Sequence, residues 1–141
     1  TAKRNGLRLI AVVMKESEPK VRNQEVSQLL DYGFSLYENV ILFKKDDIIE
    51  KIPIENARQK SVEVVCKEDV VYVKDKSAQD EVTYEMNYTN LVPPIKKGET
   101  IGHILLMRSD VNIASFEVVS KDDIEALTLP EKMYNYFKAF V

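Results

Sequence analysis

Ser17 and Lys20 stand three positions apart in the stretch SEPK. At this spacing a lysine amine can take the proton of a serine hydroxyl and turn the serine into a nucleophile. That chemistry needs both side chains on one face at the start of a buried helix. Here the pair lies in a highly charged stretch, residues 15–20, with Pro19 inside it. We therefore interpret the match as accidental and expect Ser17 to cap a helix N-terminus.

The other residue types that commonly carry chemistry are isolated in this sequence. His103, the single histidine, falls in a predicted strand beside Ile104 and Leu105, so we expect it to be structural. Cys66, the single cysteine, takes an apolar position of another strand, and we interpret it as a core residue. A metal site needs clustered His, Cys or carboxylate ligands. The sequence therefore predicts no catalytic residue, no metal site and no cofactor in this chain.

The composition is that of a globular protein. The chain has 141 residues, of which 45% are hydrophobic and 30% charged, and these proportions disfavour disorder. The formal net charge of −3 offers no basic footprint, so we expect no nucleic-acid partner. No apolar run in the sequence is long enough for a membrane-spanning helix. At this length the chain can form one domain, or a small domain plus a piece of another.

The first forty residues predict one strand and one helix. The apolar run at residues 8–14 indicates a strand buried on both faces, which needs neighbours on each side. Only seven residues precede it, so we expect the chain to be the back part of a larger protein. A helix is predicted over residues 18–37, with Pro19 in its first turn. Its apolar face is formed by Val26, Leu29, Leu30, Gly33, Phe34 and Tyr37.

From about Phe43 onward the hydrophobic period changes from 3.6 to 2. The stretch VTYEMNY, residues 82–88, alternates apolar and polar side chains without a break. Strands are predicted at 48–54, 61–66, 70–73, 82–88, 100–107 and 113–119. Short strands separated by turn-rich loops favour a small antiparallel β-sandwich or barrel.

The end of the chain, LTLPEKMYNYFKAFV, has a different pattern. After Pro130 the apolar side chains crowd into a short helical stretch: Met133, Tyr134, Tyr136, Phe137, Phe140 and Val141. One interpretation is a terminal helix that packs on its own domain. The other is the start of an amphipathic helix that lies in the headgroup layer of a membrane.

The opening TAKRNGLRLIAVVM, the stretch RNQE at residues 22–25 and LLDYGF at 29–34 closely resemble the end of the catalytic domain of low-molecular-weight penicillin-binding proteins. These are the serine-type D-alanyl-D-alanine carboxypeptidases of bacterial cell walls. Downstream, PPIKKGETIGHI at 93–104 resembles a hairpin of the family's C-terminal β domain. The resemblance implies a mainly β fold: a small antiparallel β-sandwich preceded by a strand and helix left over from an α/β catalytic domain.

For the parent enzyme, the resemblance implies that a serine is acylated by the peptidoglycan stem peptide, with loss of the terminal D-alanine, and that β-lactams acylate the same serine. The family's S-x-x-K, S-x-N and K-T-G motifs are expected before Thr1, so we expect this chain alone to be inactive. Arg22 matches a family arginine that helps to hold the substrate carboxylate, a task suited to a guanidinium. The alternative for Arg22 is a solvated helix arginine.

The resemblance also implies a domain layout. Residues 1–42 are expected to be the catalytic-domain remnant, 43–126 the β-sandwich domain, and 127–141 the start of the membrane anchor. Met133, Tyr134, Phe137 and Phe140 are the expected membrane-proximal residues. The β domain then serves as a spacer or as a docking surface for envelope proteins, on the outer face of the bacterial cytoplasmic membrane. The alternative is a stand-alone β-rich binding module at the cell envelope. We expect the isolated chain to self-associate through residues 1–40.

Overall fold

The computed structural model describes residues 1–15, 17–79 and 81–140. The chain divides into two compact units. The first comprises Thr1–Leu42 and Val71–Asp80, and the second comprises Phe43–Val70 and Glu81–Val141.

The first unit opens with a β-hairpin. Strands β1 (Ala2–Arg4) and β2 (Leu7–Leu9) pair antiparallel across the turn Asn5-Gly6. Both turn residues have positive φ, 47° and 82°, as a two-residue turn that matches the strand twist requires. Helix α1 (Pro19–Leu36) follows, and its Gly33 lets Leu9 approach closely. Most of β3 (Tyr37–Phe43) and β6 (Val70–Asp75) also belongs to this unit, and these two strands form a small sheet.

The strand predicted at residues 8–14 is wrong over most of its length. Only Leu7–Leu9 is in a ladder, and residues 10–14 pair with no strand among the described residues. The side chains of Ile10, Val12 and Met14 are 71%, 75% and 80% exposed. The predicted burial on both faces is therefore wrong here, because no strand among the described residues supplies the hydrogen bonds and the cover that this run would need.

Helix α1 confirms the predicted helix to within one residue at each end. Pro19 stands in its first turn, as expected. The expected cap is wrong, because Glu18 and not Ser17 is the N-cap residue. Tyr37, predicted as the last helical residue, instead begins β3 with extended backbone. Phe34 is the one buried residue of α1. On the rest of the predicted apolar face, three residues are half-buried and two are exposed: Val26, Leu30 and Gly33, and Leu29 and Tyr37.

The second unit is built on one five-stranded antiparallel sheet. It contains β4 (Ile48–Pro53), β5 (Ser61–Cys66), β7 (Val82–Tyr88), β8 (Thr100–Arg108) and β9 (Val111–Ser120), in the order β4-β5-β9-β8-β7. Strands β5 and β7 have the bounds predicted from the sequence, and the others differ by one to two residues at an end. The prediction of a mainly β, antiparallel fold is confirmed.

The sheet is curled, so its two edge strands approach each other through side chains. The Tyr88 hydroxyl on β7 donates to the Glu50 carboxylate on β4. Nearer the other end of β7, the rings of Phe43 and Tyr84 meet edge to face with centroids 5.3 Å apart. The alternate side chains of each strand therefore enclose an apolar core. Its fully buried members are Val62, Val64, Cys66, Val70, Ile95, Ile101, Ile104, Leu106 and Val118.

Candidate functional site

Helix α2 (Leu129–Lys138) begins at a well-formed N-terminal cap. The Thr128 backbone N–H and hydroxyl both donate to Oε2 of Glu131, at 2.7 and 2.8 Å. Pro130 stands in the first turn, where its missing N–H leaves no hydrogen bond unmade. Lys138 lies in the last turn, where a cation complements the helix dipole. These local features explain why a ten-residue helix forms here.

Arg58 connects the start of α2 to the β-sheet unit. Its guanidinium lies 2.8 Å from a Glu125 carboxylate oxygen and 3.2 Å from a Glu131 oxygen. The Arg58 backbone N–H also donates to the Glu125 carbonyl at 2.9 Å. Hydrogen bonds from Thr128, followed by the charge of Arg58, hold the pKa of Glu131 below its ordinary value. The polar side of α2 therefore faces the unit from which the helix emerges.

The opposite side of α2 is an exposed apolar stripe. The stripe consists of Leu129, Met133, Tyr136, Phe137 and Phe140, at spacings that place them on one face of a helix. Leu129 is 72% exposed and Phe140 is 74% exposed, and no residue of α2 is buried. The Tyr136 ring lies 6.0 Å from that of Phe137 and 5.0 Å from that of Phe140, centroid to centroid. We name these five residues the α2 stripe.

The exposure of the α2 stripe bears on the two interpretations of the chain end. A terminal helix that packed on its own domain through this face would bury these side chains, and the described residues do not cover them. The interpretation as a membrane-surface helix stays a prediction. Val141, which the sequence placed in the same stretch, lies outside the described residues.

The stripe also separates the expected membrane-proximal residues. Met133, Phe137 and Phe140 lie together on it. Tyr134 instead borders a depression of about 450 Å³ beside Arg58. Leu129 was missed, although its spacing of four residues before Met133 was a usable signal.

Of the two lysines of α2, one borders the α2 stripe. With about 3.6 residues per turn, Lys132 lies beside the stripe, whereas Lys138 lies on the polar side with Glu131, and both lysine side chains are exposed. A stripe of apolar side chains with a cation beside it suits an interface whose one side is apolar and whose other side is wet and anionic.

The remaining candidate residues do not come together. Arg22 lies exposed in the first turn of α1, and Ser17 and Lys20 are also exposed. Arg22 does not border the depression of about 530 Å³ between residues 12–14 and α1. Cys66 is buried in the core, as predicted, and burial, followed by the charges of Asp47 and Asp69, raises the pKa of its thiol to about 11.

His103 lies on β8 between Asn87 and Glu117 of the neighbouring strands. Glu117 is itself paired with Lys67, which lowers the pKa of the Glu117 carboxyl. His103 is therefore a member of a polar row on the sheet, and no nucleophile is adjacent to it in that row.

Neither a metal site nor a membrane-spanning helix is found in the described part of the chain. No group of three or more His, Cys, Asp or Glu side chains there could hold a metal ion. Among the helices described in residues 1–15, 17–79 and 81–140, none combines the length and the apolar character needed to cross a membrane.

Comparison with known proteins gives one consistent result. Residues 37–126 match the family model of the penicillin-binding protein 5 C-terminal domain. The chain is 32% identical over 127 residues to the D-alanyl-D-alanine carboxypeptidase DacF of Bacillus subtilis, covering 89% of this chain and 33% of that protein. It is 26% identical over 134 residues to DacA of Haemophilus influenzae, covering 94% and 34%. The chain thus spans about a third of the length of these relatives.

Solved structures agree with the sequence comparison. Penicillin-binding protein 5 from Haemophilus influenzae superimposes with a TM-score of 0.68 at 25% identity, covering 75% of this chain and 31% of that one. A protein described as a peptidoglycan synthesis regulatory factor (PBP3), from Streptococcus pneumoniae, gives a TM-score of 0.64 at 21% identity, covering 79% and 33%. The second likeness bears on the fold alone.

Proposed function

The chain belongs to the penicillin-binding protein 5 C-terminal domain family, and from this premise we propose that it is the membrane-side part of a D-alanyl-D-alanine carboxypeptidase of the bacterial cell envelope. In this role the β-sheet unit is a spacer or docking domain, and α2 rests on the outer face of the cytoplasmic membrane. The observation that carries the proposal is the exposed α2 stripe, directed away from the unit that holds the helix.

The geometry of α2 supports contact with a membrane surface rather than insertion across it. The helix is ten residues long, about half of what a bilayer crossing needs. Its apolar residues occupy one face, and Lys132 lies beside that face. A helix of this kind lies in the headgroup layer with its apolar side chains toward the acyl chains.

The catalytic chemistry is assigned to the rest of the parent enzyme. There a serine attacks the carbonyl before the terminal D-alanine, D-alanine leaves, and water hydrolyses the acyl-serine. A β-lactam acylates the same serine. This chain supplies no nucleophile in that scheme. In the intact enzyme, Arg22 in the first turn of α1 is proposed to bind the substrate carboxylate, because a guanidinium can hold a carboxylate through two hydrogen bonds.

Residues 1–42 are proposed to be the last strand and helix of the catalytic domain. The exposed side chains of Ile10, Val12 and Met14 support this assignment, as does the depression that residues 12–14 form with α1. An apolar segment of extended chain beside a half-covered helix is what a sheet leaves when neighbouring strands are not part of the fragment.

A flotation assay with lipid vesicles tests the membrane contact. The full chain is mixed with vesicles of phosphatidylcholine alone, or with one third phosphatidylglycerol, and the bound fraction is measured. We expect binding that is stronger to the anionic vesicles. Phe137→Ser and Phe140→Ser should each weaken binding by about tenfold or more, because each removes an aromatic side chain that membrane contact would bury.

Tyr134→Ser is the matched control, because it removes an aromatic side chain from the same helix outside the stripe. We expect it to keep most of the binding. Equal losses for Tyr134→Ser and Phe137→Ser, or no binding by the unmodified chain, would contradict the proposed orientation.

The coding region that precedes Thr1 tests the parent activity. S-x-x-K, S-x-N and K-T-G motifs in the same open frame, together with labelling of the full product by a fluorescent penicillin, would establish the carboxypeptidase. An unrelated upstream region would instead favour the second candidate, a stand-alone binding module at the envelope. The self-contained core of the second unit is the observation consistent with that candidate.

A further inference from the structure

Three connecting segments lie at the end of the five-stranded sheet from which α2 emerges. Residues 54–60 connect β4 to β5, residues 89–99 connect β7 to β8, and residues 121–128 connect β9 to α2. The antiparallel register places all three connections at the same end of the strands. We name this end of the sheet the α2 end.

The base of the β7–β8 connection is fixed to the segment that leads into α2. Ile95 and Ile124 exchange two backbone hydrogen bonds, of 2.8 and 2.7 Å, and both side chains are buried. The Lys97 N–H donates to the Asp123 carboxylate at 2.7 Å. These bonds set the position of the β7–β8 connection relative to the start of the helix.

Between this base and β7 the chain exposes an apolar tip, Leu91-Val92-Pro93-Pro94, which we name the LVPP loop. Leu91 is half-buried and Val92 is 74% exposed. No other large apolar side chain in residues 43–70 and 81–128 is exposed to that extent. A single exposed valine is ordinary on a protein surface, so the position of this one relative to α2 decides what it can do.

The LVPP loop lies next to the helix that carries the α2 stripe. Residues 91–93 line a depression of about 300 Å³ together with Lys132 of α2. Because Lys132 lies beside the α2 stripe, the loop adjoins the border between the apolar and the polar side of the helix. Glu55 lines the same depression, so the charges there are balanced and the loop itself offers an apolar contact.

From these observations we propose that the LVPP loop is a second membrane contact, which places Leu91 and Val92 in the lipid surface on which the α2 stripe rests. The proposal depends on the membrane contact proposed for α2 and extends it from one helix to two separate points of the same unit. A lipid surface is the occupant that fits, because the loop is continuous with the stripe through Lys132, and a cation beside apolar side chains suits anionic headgroups.

The backbone of the LVPP loop is suited to the headgroup layer. N–H groups that leave water without a partner disfavour contact with lipid. The two prolines of the loop carry no N–H, and the N–H groups of Thr89 and Asn90 donate to the Ile101 carbonyl at 3.0 and 3.4 Å. Across residues 89–94, two N–H groups therefore remain without a partner among the described residues, and lipid headgroups and their water can accept from both.

A fluorophore that reports the polarity of its surroundings tests the contact. Val92→Cys in the full chain is labelled with nitrobenzoxadiazole and mixed with vesicles of phosphatidylcholine and one third phosphatidylglycerol, while the native Cys66 is buried. We expect a blue shift of the emission, and quenching by lipids that carry a spin label near the headgroup. Val111→Cys is the matched control, because Val111 is a second valine, 62% exposed, at the opposite end of the sheet, and its label should keep its emission.

Flotation of the same labelled proteins separates this proposal from the one for α2. Chains that bind vesicles while the label at position 92 stays in water would overturn the LVPP contact, leave the α2 contact standing and point to a protein as the partner of the loop. Chains that do not bind vesicles would contradict both proposals. Equal blue shifts at positions 92 and 111 would show adsorption without a fixed orientation and would also overturn the LVPP contact.

A charge at the tip measures how much the loop contributes to binding. Val92→Asp should weaken binding to the anionic vesicles by about tenfold, because it removes apolar area from the contact and adds a charge that phosphatidylglycerol repels. Val111→Asp adds the same charge at the far end of the sheet, where salt screens it, and should change binding by less than about twofold. Both positions are exposed, so neither variant should unfold, and circular dichroism checks this. Equal losses of binding would overturn the proposal.

Discussion

The two units of this chain bury their apolar side chains to very different extents. In the second unit, Val64, Ile104 and Leu106 are among a contiguous set with no exposed surface. In the first unit the buried hydrophobic residues of the described chain are Leu7 and Phe34, and both retain 7–9% exposure. The first unit has a hairpin, a long helix and a small sheet, yet it encloses no comparable core.

This difference shows that a segment can form regular secondary structure without enclosing a buried apolar core. Helix α1 and the β1–β2 hairpin satisfy their backbone hydrogen bonds locally, so they form even where side chains are poorly covered. The second unit adds long-range strand pairing, and its alternating side chains meet in the interior. We expect the free energy of unfolding to reside mainly in the second unit, and five measurements can sharpen or refute the comparison.

Truncation of the core should have the largest effect. Ile104→Ala removes a fully buried side chain from β8 and should cost about 2–5 kcal/mol in the free energy of unfolding. The control is Ile113→Ala on β9, where the side chain is 40% exposed and the cost should be below about 1 kcal/mol. Urea unfolding followed by circular dichroism measures both. A Phe34→Ala variant that shifts the main transition as far as Ile104→Ala would mean that the first unit shares the core.

Thiol reactivity should report the opening of the second unit alone. Burial raises the pKa of Cys66 from 9.0 to about 11, so the folded thiol is far less ionised at neutral pH than an ordinary one. We expect an Ellman-type reagent to label Cys66 only as fast as the unit unfolds.

The same pKa shift predicts the effect of alkali on stability. The unfolded thiol ionises first as the pH rises, so the free energy of unfolding should fall between about pH 9 and about pH 11. Cys66→Ala should lack this component of the pH dependence. In the labelling experiment at pH 7, modification of Cys66 that is faster than unfolding of the chain would show that the core opens locally.

Replacing one glycine in each unit by alanine should show that the two units differ in how well they tolerate an added Cβ atom. A Cβ at Gly102 would lie 2.3 Å from the Asn87 carbonyl oxygen, a backbone atom that can move only if β7 shifts from β8. Gly102→Ala should therefore cost about 1–3 kcal/mol. A Cβ at Gly33 would meet Cδ1 of Leu9, which can rotate away, while helix α1 gains about 0.5–1 kcal/mol from the loss of glycine. The urea midpoints of the two variants should move in opposite directions, and equal losses would count against the contrast.

The smallest effect on stability is expected from the pH-dependent cap at the start of α2. The pKa of Glu131 is lowered in the folded chain, so its contribution is complete above the ordinary glutamate pKa and is lost as the pH falls through the lowered one. Amide hydrogen exchange of residues 131–138 should therefore accelerate in acid before the exchange of β8 does. Glu131→Gln should remove most of that pH dependence. Exchange in α2 that follows β8 at every pH would show that the cap is not what holds the helix.

Local patterns predicted much of this fold. The strict alternation of VTYEMNY and the apolar positions 62, 64 and 66 gave β7 and β5 their observed bounds. Val62, Val64 and Cys66 are buried in β5, and the half-buried residues of β7 are at the even positions 82, 86 and 88. The 3.6-residue period gave α1, and the aromatic crowding after Pro130 gave α2. In each case the information lies within a single element.

Two elements were misjudged because a local signal was outweighed by another. The Asn5-Gly6 pair is a hairpin signal, but the apolar run that follows it favoured one long buried strand. Strand β3 follows α1 without a loop, so the helical period seemed to continue through Tyr37. Whether an apolar run forms a paired strand depends on the presence of partner strands, and the sequence of the run alone does not predict them.

The candidate site was predictable in part. The spacing of Met133, Phe137 and Phe140 is a local property of the sequence, and the structure places these residues on one face. The direction of that face depends on Arg58, which lies 73 positions before Glu131 in the chain and is brought to it by the sheet. No pattern within residues 127–141 could have shown that Tyr134 is turned toward Arg58.

The attachment of α2 has a consequence for how the chain meets any surface. Residues just before the helix are held by the sheet unit, since the Leu127 N–H donates to the Asn56 carbonyl and Ala126 forms a bridge with Ala57. The α2 stripe is thus presented without a flexible tether. A tethered helix would search all orientations and lose that freedom on contact, whereas this one is oriented in advance and gives up little additional entropy. The contact would then fix the tilt of the whole sheet unit as well as its distance from the surface.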